Sequence, residues 1–176
     1  QGISLVGQLT EGRLQEVLEV NQVSAEKIRS SSEAPGPGDD EIEMESIKYA
    51  LWLDPSRTAA FFATRVFLVE GPTERAVFDY LADRGELIIP DGGVMFLDTF
   101  GKWNTHRFIG LLSGLRIPHV VLHDLDGGKG WARKCAESIE ASKTDHTLAI
   151  DTFEKDFEAF LGIPTPARPA NKPQSA

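Results

Sequence analysis

Four carboxylates stand where they could share one reaction. Glu70 follows the apolar run Val66-Phe67-Leu68-Val69, and Glu74 comes four residues later, past Gly71-Pro72-Thr73. Asp124 and Asp126 follow a second apolar run, Val120-Val121-Leu122. Glu70 ends a strand and Glu74 opens the next helix, so one short turn brings both to the same mouth. Asp124 and Asp126 are two apart, on one side of an extended chain, roughly 7 Å between Cα atoms at about 3.3 Å per residue. Four carboxylates in one crevice repel unless neutralised. Oxygen-only ligands select hard cations, so magnesium or manganese is the expected neutraliser.

The elements that must position these groups follow from periodicity. Short, continuous runs of β-branched and aromatic residues mark strands buried on both faces at 66–69, 94–97 and 119–123. Between them lie helical patterns: Val77, Phe78, Tyr80 and Leu81 before the stop at Gly85; Phe108, Ile109, Leu111, Leu112 and Leu115 after an Asn104 or Thr105 cap; and Trp131, Cys135 and Ile139 on one stripe. A last amphipathic helix is expected over Phe153 to Leu161, before Pro164, Pro166, Pro169 and Pro173. Alternating strands and helices imply an α/β fold, an open parallel sheet with helices on both faces. Ligands of such sheets bind at the carboxyl ends of the strands. Glu70, Asp98, Asp124 and Asp126 all fall there.

Composition narrows the function classes. The 176 residues are 41% hydrophobic and 26% charged, which is globular rather than disordered. No apolar run approaches the ~18 residues of a membrane span. The single cysteine, Cys135, rules out an internal disulfide and paired-cysteine zinc modules, and fits a reducing cytoplasm. A formal charge of −9 disfavours a generic basic nucleic-acid patch, although bound cations can invert the local field. The opening Gln1-Gly2-Ile3-Ser4 carries neither an initiator Met nor a signal peptide, so the chain is expected to be part of a longer one. Residues 1–62 read as a helical segment with a flexible Ser/Pro/Gly/Asp linker near 30–40, residues 63–163 as the catalytic domain, and residues 164–176 as a Pro-rich tail.

The run Arg65-Val66-Phe67-Leu68-Val69-Glu70-Gly71-Pro72-Thr73-Glu74, followed two strands later by Val120-Val121-Leu122-His123-Asp124-Leu125-Asp126-Gly127-Gly128, resembles the Toprim fold, a Rossmannoid parallel sheet found in topoisomerases, primases and related nucleases. Leu53-Asp54-Pro55 with Phe61-Phe62-Ala63, and Gly101-Lys102-Trp103-Asn104, further resemble the C-terminal nuclease region of OLD-family (overcoming lysogenization defect) proteins. The resemblance covers about Leu51 to Leu161. It implies a DNA endonuclease working with two divalent ions, Mg2+ or Mn2+, in which Glu70, Glu74, Asp124 and Asp126 are ligands and Asp124 bridges. It extends to Asp156 and Glu158 as a later acidic motif and to Lys172 as a catalytic lysine, with Glu70 as an alternative general acid or base. It also implies an ATPase domain ahead of this region, a homodimer as a state of the longer protein, and no membrane partner.

Two other readings compete. Asp124-Leu125-Asp126-Gly127 also fits the D-x-D-G box of haloacid-dehalogenase-type phosphatases, with Asp124 as covalent nucleophile. That family puts the box on its first strand and gives no role to Glu70 through Glu74. The other reading is a DNA-binding or assembly module that keeps the shell without catalysis, which the net acidity disfavours. Gly101-Lys102 and Gly128-Lys129 lack the upstream glycine of a phosphate-binding loop. The four histidines lack zinc-ligand spacing, and His123 is expected to pack or hydrogen-bond rather than ligate.

Overall fold

A computed structural model describes residues 55–89, 93–128 and 130–164. The expected helical segment lies outside the described residues up to position 54, with its linker, and so does the tail beyond position 164.

The first described element is a short helix, α1 (Pro55–Thr58), continued by a 3-10 turn over Ala59–Phe62. Strand β1 (Arg65–Val69) leads through Gly71 into α2 (Pro72–Asp83), which begins with proline in its first turn, where the missing N–H costs nothing. Then come β2 (Val94–Asp98), α3 (Thr105–Gly114), β3 (His119–Asp124), α4 (Gly130–Ala141), β4 (Thr147–Phe153) and α5 (Phe157–Phe160). The strands pair in the order β2-β1-β3-β4, all parallel.

Register assigns the two faces. Val66, Leu68, Leu97 and Val121 share one face and form a core with Phe108, Ile109 and Leu112 of α3 and Ile139 of α4. Phe67 and Phe96 share the other face; Phe78 of α2 stacks on Phe96 at 5.0 Å and meets Phe157 of α5 at 5.4 Å. Helices thus cover both faces, as the strand runs require. Chain direction explains the split: β1 to β2 moves one way across the sheet, while β2 to β3 to β4 moves the other, so crossovers of constant hand put α3 and α4 opposite α2. The reversal leaves a crevice between the carboxyl ends of β1 and β3.

Two expectations need correction. The last amphipathic helix does not run from Phe153 to Leu161: Phe153 ends β4, and only Phe157–Phe160 is helical. Phe153, Phe157 and Phe160 still cluster, with ring centroids 4.9 to 6.5 Å apart, across a strand-to-helix turn rather than along one helix. β4 pairs on one side with β3; its Asp151 and Thr152 are exposed and half of Leu148 faces solvent, so it lacks the continuous apolar signal of a central strand. The second correction concerns Asp126. It is not on an extended chain with Asp124 but has φ +50° and starts a 3-10 turn over Asp126–Gly128.

Candidate functional site

The crevice is built from three loops. β1 ends at Val69, and Glu70 follows with its Oε1 accepting the backbone N–H of Asp124 at 2.7 Å. This bond ties the ends of β1 and β3 together at the point where the strand order reverses, the place such sheets use for ligands. Gly71 is extended and caps α2, whose first turn holds Glu74, a buried side chain. A Cβ on Gly71 would lie 3.0 Å from Glu74 Oε2, so any other residue here would press the end of the glutamate side chain away from this turn.

The loop after β2 is held onto β1: Thr99 N–H donates to Val69 O at 2.9 Å and Gly101 N–H to Glu70 O at 2.7 Å. Gly101 has φ +108°, which excludes ordinary side chains, and the following 3-10 turn, Lys102–Asn104, aims Lys102 into the crevice. Its ammonium lies 2.5 Å from Asp126 Oδ2 and 3.3 Å from Glu70 Oε1, and it donates to the carbonyl of Asp124. The Trp131 ring of α4 is 5.8 Å away. Lys102 is only 3% exposed. Burial alone would pull its ammonium down, but Glu70 and Asp126 outweigh that and leave it above the ordinary lysine value. Burial pushes the Glu70 carboxyl up to about 7 against the pull of Lys102 and the Asp124 amide. For Glu70 the cost of burial outweighs the attraction of Lys102.

Left-handed backbone at Asp126 and at Gly127 (φ +63°) turns the chain sharply at the end of β3. Aspartate tolerates this region better than most residues. The turn leaves Asp124 buried at the strand end and Asp126 at the rim facing Lys102. His123 is buried, its Nδ1–H donates to Asp124 O at 3.1 Å, and burial lowers its pKa, so it packs and hydrogen-bonds as expected. Parallel pairing continues past the strands: Leu125 N–H donates to Phe153 O and Asp126 N–H to Lys155 O, each at 3.0 Å. That brings the segment carrying Asp156 and Glu158 beside the Asp126 turn. Asp156 itself caps α5, Oδ1 accepting Ala159 N–H at 2.7 Å, and Glu158 is fully buried. Lys172 lies outside the described residues.

Asp98, at the end of β2, belongs to a separate arrangement. Its carboxylate takes Arg57 at 2.8 and 2.9 Å and Arg75 at 3.3 Å, and the Arg57 guanidinium also covers the Phe100 ring at 4.0 Å. This ties α1, α2 and the end of β2 together beside the crevice.

Among the described residues, no three His, Cys, Asp or Glu side chains stand close enough to hold a metal ion as they are. The donor chemistry nevertheless fits a hard cation: Glu70 Oε1, Asp126 Oδ2 and Asp124 O are all oxygen, and together they already surround one positive charge, that of Lys102. Lys102 is the residue to which sequence reasoning gave no role in the acidic site. Its signal was the Gly101-Lys102-Trp103-Asn104 motif directly after a strand, where a buried lysine requires acidic partners.

Residues 61–126 match the family model described as Overcoming lysogenization defect protein-like, TOPRIM domain. Over 74 residues, 42% of this chain, the sequence is 32% identical to Endonuclease GajA of Bacillus cereus (strain VD045). That stretch is 13% of the relative's length, so the chain spans a small part of the protein it matches. Residues 61–126 contain β1, α2, β2, α3 and β3, and with them Glu70, Glu74, Lys102, Asp124 and Asp126.

Proposed function

We propose that the chain, whose residues 61–126 match an OLD-like TOPRIM domain, is the nuclease part of a longer protein, a hydrolase that cleaves DNA phosphodiester bonds with divalent metal. The observation that carries this reading is the meeting of Glu70, Asp124 and Asp126 around one positive charge at the β1/β3 reversal. Residues 63–163 are the proposed catalytic unit, with the 1–62 segment and the 164–176 tail as appendages. The reading includes an ATPase domain elsewhere in the longer protein, homodimerisation of that protein, and a cytoplasmic setting, in keeping with a single cysteine. Among the described residues no helix is long and apolar enough to cross a membrane.

Glu70 and Asp126 would hold Mg2+ or Mn2+, with Glu74 and Asp124 completing the set from the adjoining turn and strand end, and Asp156 or Glu158 approaching from the segment paired beside Asp126. Bound there, two such ions supply water activation and charge stabilisation for an in-line displacement at phosphorus. The chain's own contribution is positional. The Glu70–Asp124 bond and the Gly101–Glu70 bond fix three loops to one another, so the donors are oriented before substrate arrives. Glu70, with its carboxyl raised to about 7, is also suited to exchange a proton near neutrality. Lys172 is the proposed lysine that offsets charge on the phosphoryl group.

Cleavage of supercoiled plasmid by the 176-residue chain tests the reading. Nicking is expected with Mg2+ or Mn2+ and not with EDTA, and Asp126→Ala should lower the rate by about a hundredfold or more. Nicking that is absent, or that survives EDTA or the substitution unchanged, overturns it.

A further inference from the structure

We propose that Lys102 is a tethered counter-ion of the acidic crevice, and that a divalent cation enters between β1 and β3 by displacing its ammonium from Glu70 and Asp126. The identity of the competing ion rests on the nuclease reading; the contacts of Lys102 do not. Its three N–H donors face three oxygens, Glu70 Oε1, Asp126 Oδ2 and Asp124 O, contributed by the ends of two strands. Arg57 and Arg75, two further cations beside the crevice, are engaged by Asp98. Lys102 therefore neutralises the carboxylates that would otherwise repel each other in this low-dielectric site.

The same oxygens cannot serve both charges. A magnesium ion needs them at about 2.0–2.1 Å, whereas the ammonium already lies 2.5 Å from Asp126 Oδ2. Two cations sharing that oxygen would approach within about 4 Å and repel strongly at the effective dielectric of a protein site. The backbone at Lys102 is pinned by Gly101 N–H to Glu70 O and by its own 3-10 turn. Displacement consequently falls to the flexible four-carbon stem, and the Trp131 face, 5.8 Å from the ammonium, offers it a resting place.

Two measurements on the 176-residue chain test this without relying on cleavage. In the first, Mn2+ is titrated calorimetrically into the wild type and Lys102→Met, which keeps the apolar stem. The variant should bind at least about tenfold more tightly, because the internal competitor is gone. The second measures acylation of the Lys102 amine in the wild type by mass spectrometry. Lys102 should be shielded without metal and should become reactive as Mn2+ is added. Mn2+ binding by the wild type that is no weaker than by Lys102→Met, or Lys102 equally shielded with and without Mn2+, overturns the displacement while leaving the nuclease reading intact. Failure of both proteins to bind Mn2+ overturns both. Should Lys102→Met fail to fold, the labelling of the wild type decides alone.

Discussion

The Glu70 carboxylate and the Asp124 backbone amide, 54 positions apart in the chain, meet at 2.7 Å and close the crevice between β1 and β3. One side chain therefore serves both the fold and the site. Glu70→Ala removes the acceptor and leaves the Asp124 N–H and the Lys102 ammonium with fewer partners. It should cost about 1–3 kcal/mol in urea unfolding, as expected for an unsatisfied buried donor, and abolish metal-dependent nicking. Glu70→Gln keeps a carbonyl acceptor and should retain most of the stability while still losing nicking. Equal stability loss in the two variants would show that the hydrogen bond is not the cause.

Asp98 makes a different prediction, because its role is to hold α1 and α2 against β2 rather than to meet the crevice. Its carboxylate is nearly inaccessible and binds two guanidinium groups. Asp98→Ala should destabilise by about 3–5 kcal/mol, since two cations lose their shared partner. Removing Arg57 in the same chain should recover part of that loss. A double-mutant cycle by chemical denaturation measures the coupling.

His119 links stability to pH. Its Nδ1–H donates to Ile117 O and its Nε2 accepts Thr147 Oγ1–H, each at 2.9 Å, so the folded state holds it neutral, and burial lowers its pKa below 6.5. The unfolded chain then binds the proton more readily than the folded one. Stability from this group is present above pH 6.5 and is lost as the pH falls below it. Relative to His119→Gln, the wild type should lose up to about 1.4 kcal/mol per pH unit below 6.5. The comparison isolates His119 from Glu70, whose raised pKa acts with the opposite sign between 4.5 and about 7. Unfolding curves of both proteins at pH 7.5, 6.5 and 5.5, spaced about a unit apart around the histidine pKa, measure the difference.

The two glycines beside the acidic residues should respond oppositely to alanine. At Gly127 nothing lies within 4 Å of an added Cβ, but φ is +63°, so Gly127→Ala should cost about 1–2 kcal/mol through backbone strain alone. At Gly71 the backbone is extended and unstrained, while the added Cβ meets Glu74 Oε2 at 3.0 Å. Gly71→Ala should stay within about 1 kcal/mol of wild-type stability and weaken Mn2+ binding by displacing Glu74. Thermal melts and Mn2+ titrations of the pair separate strain from displacement.

Much of the architecture is legible in the chain because central parallel strands are buried on both faces. Val66–Val69, Val94–Leu97 and His119–His123 carry that burial as unbroken apolar runs, and the helices between them carry a 3.6-residue period. β4 was hidden because, among the described residues, it is paired on one side only and admits Asp151 and Thr152 to solvent. The helix expected from Phe153 was misread because three phenylalanines at helical spacing can also cluster across a turn.

The sequence by itself determined which residue types stand at the strand ends: carboxylates after β1, β2 and β3 follow from local pattern, and so does the α/β class. Only the tertiary structure decided which of them meet. Strand order sets Glu70 beside Asp124 and leaves Asp98 to two arginines, and a left-handed turn carries Asp126 to the rim. Lys102 joins them because the loop after β2 is hydrogen-bonded to the end of β1. Those are contacts between distant segments, governed by the reversal of the sheet, and local periodicity carries no record of them.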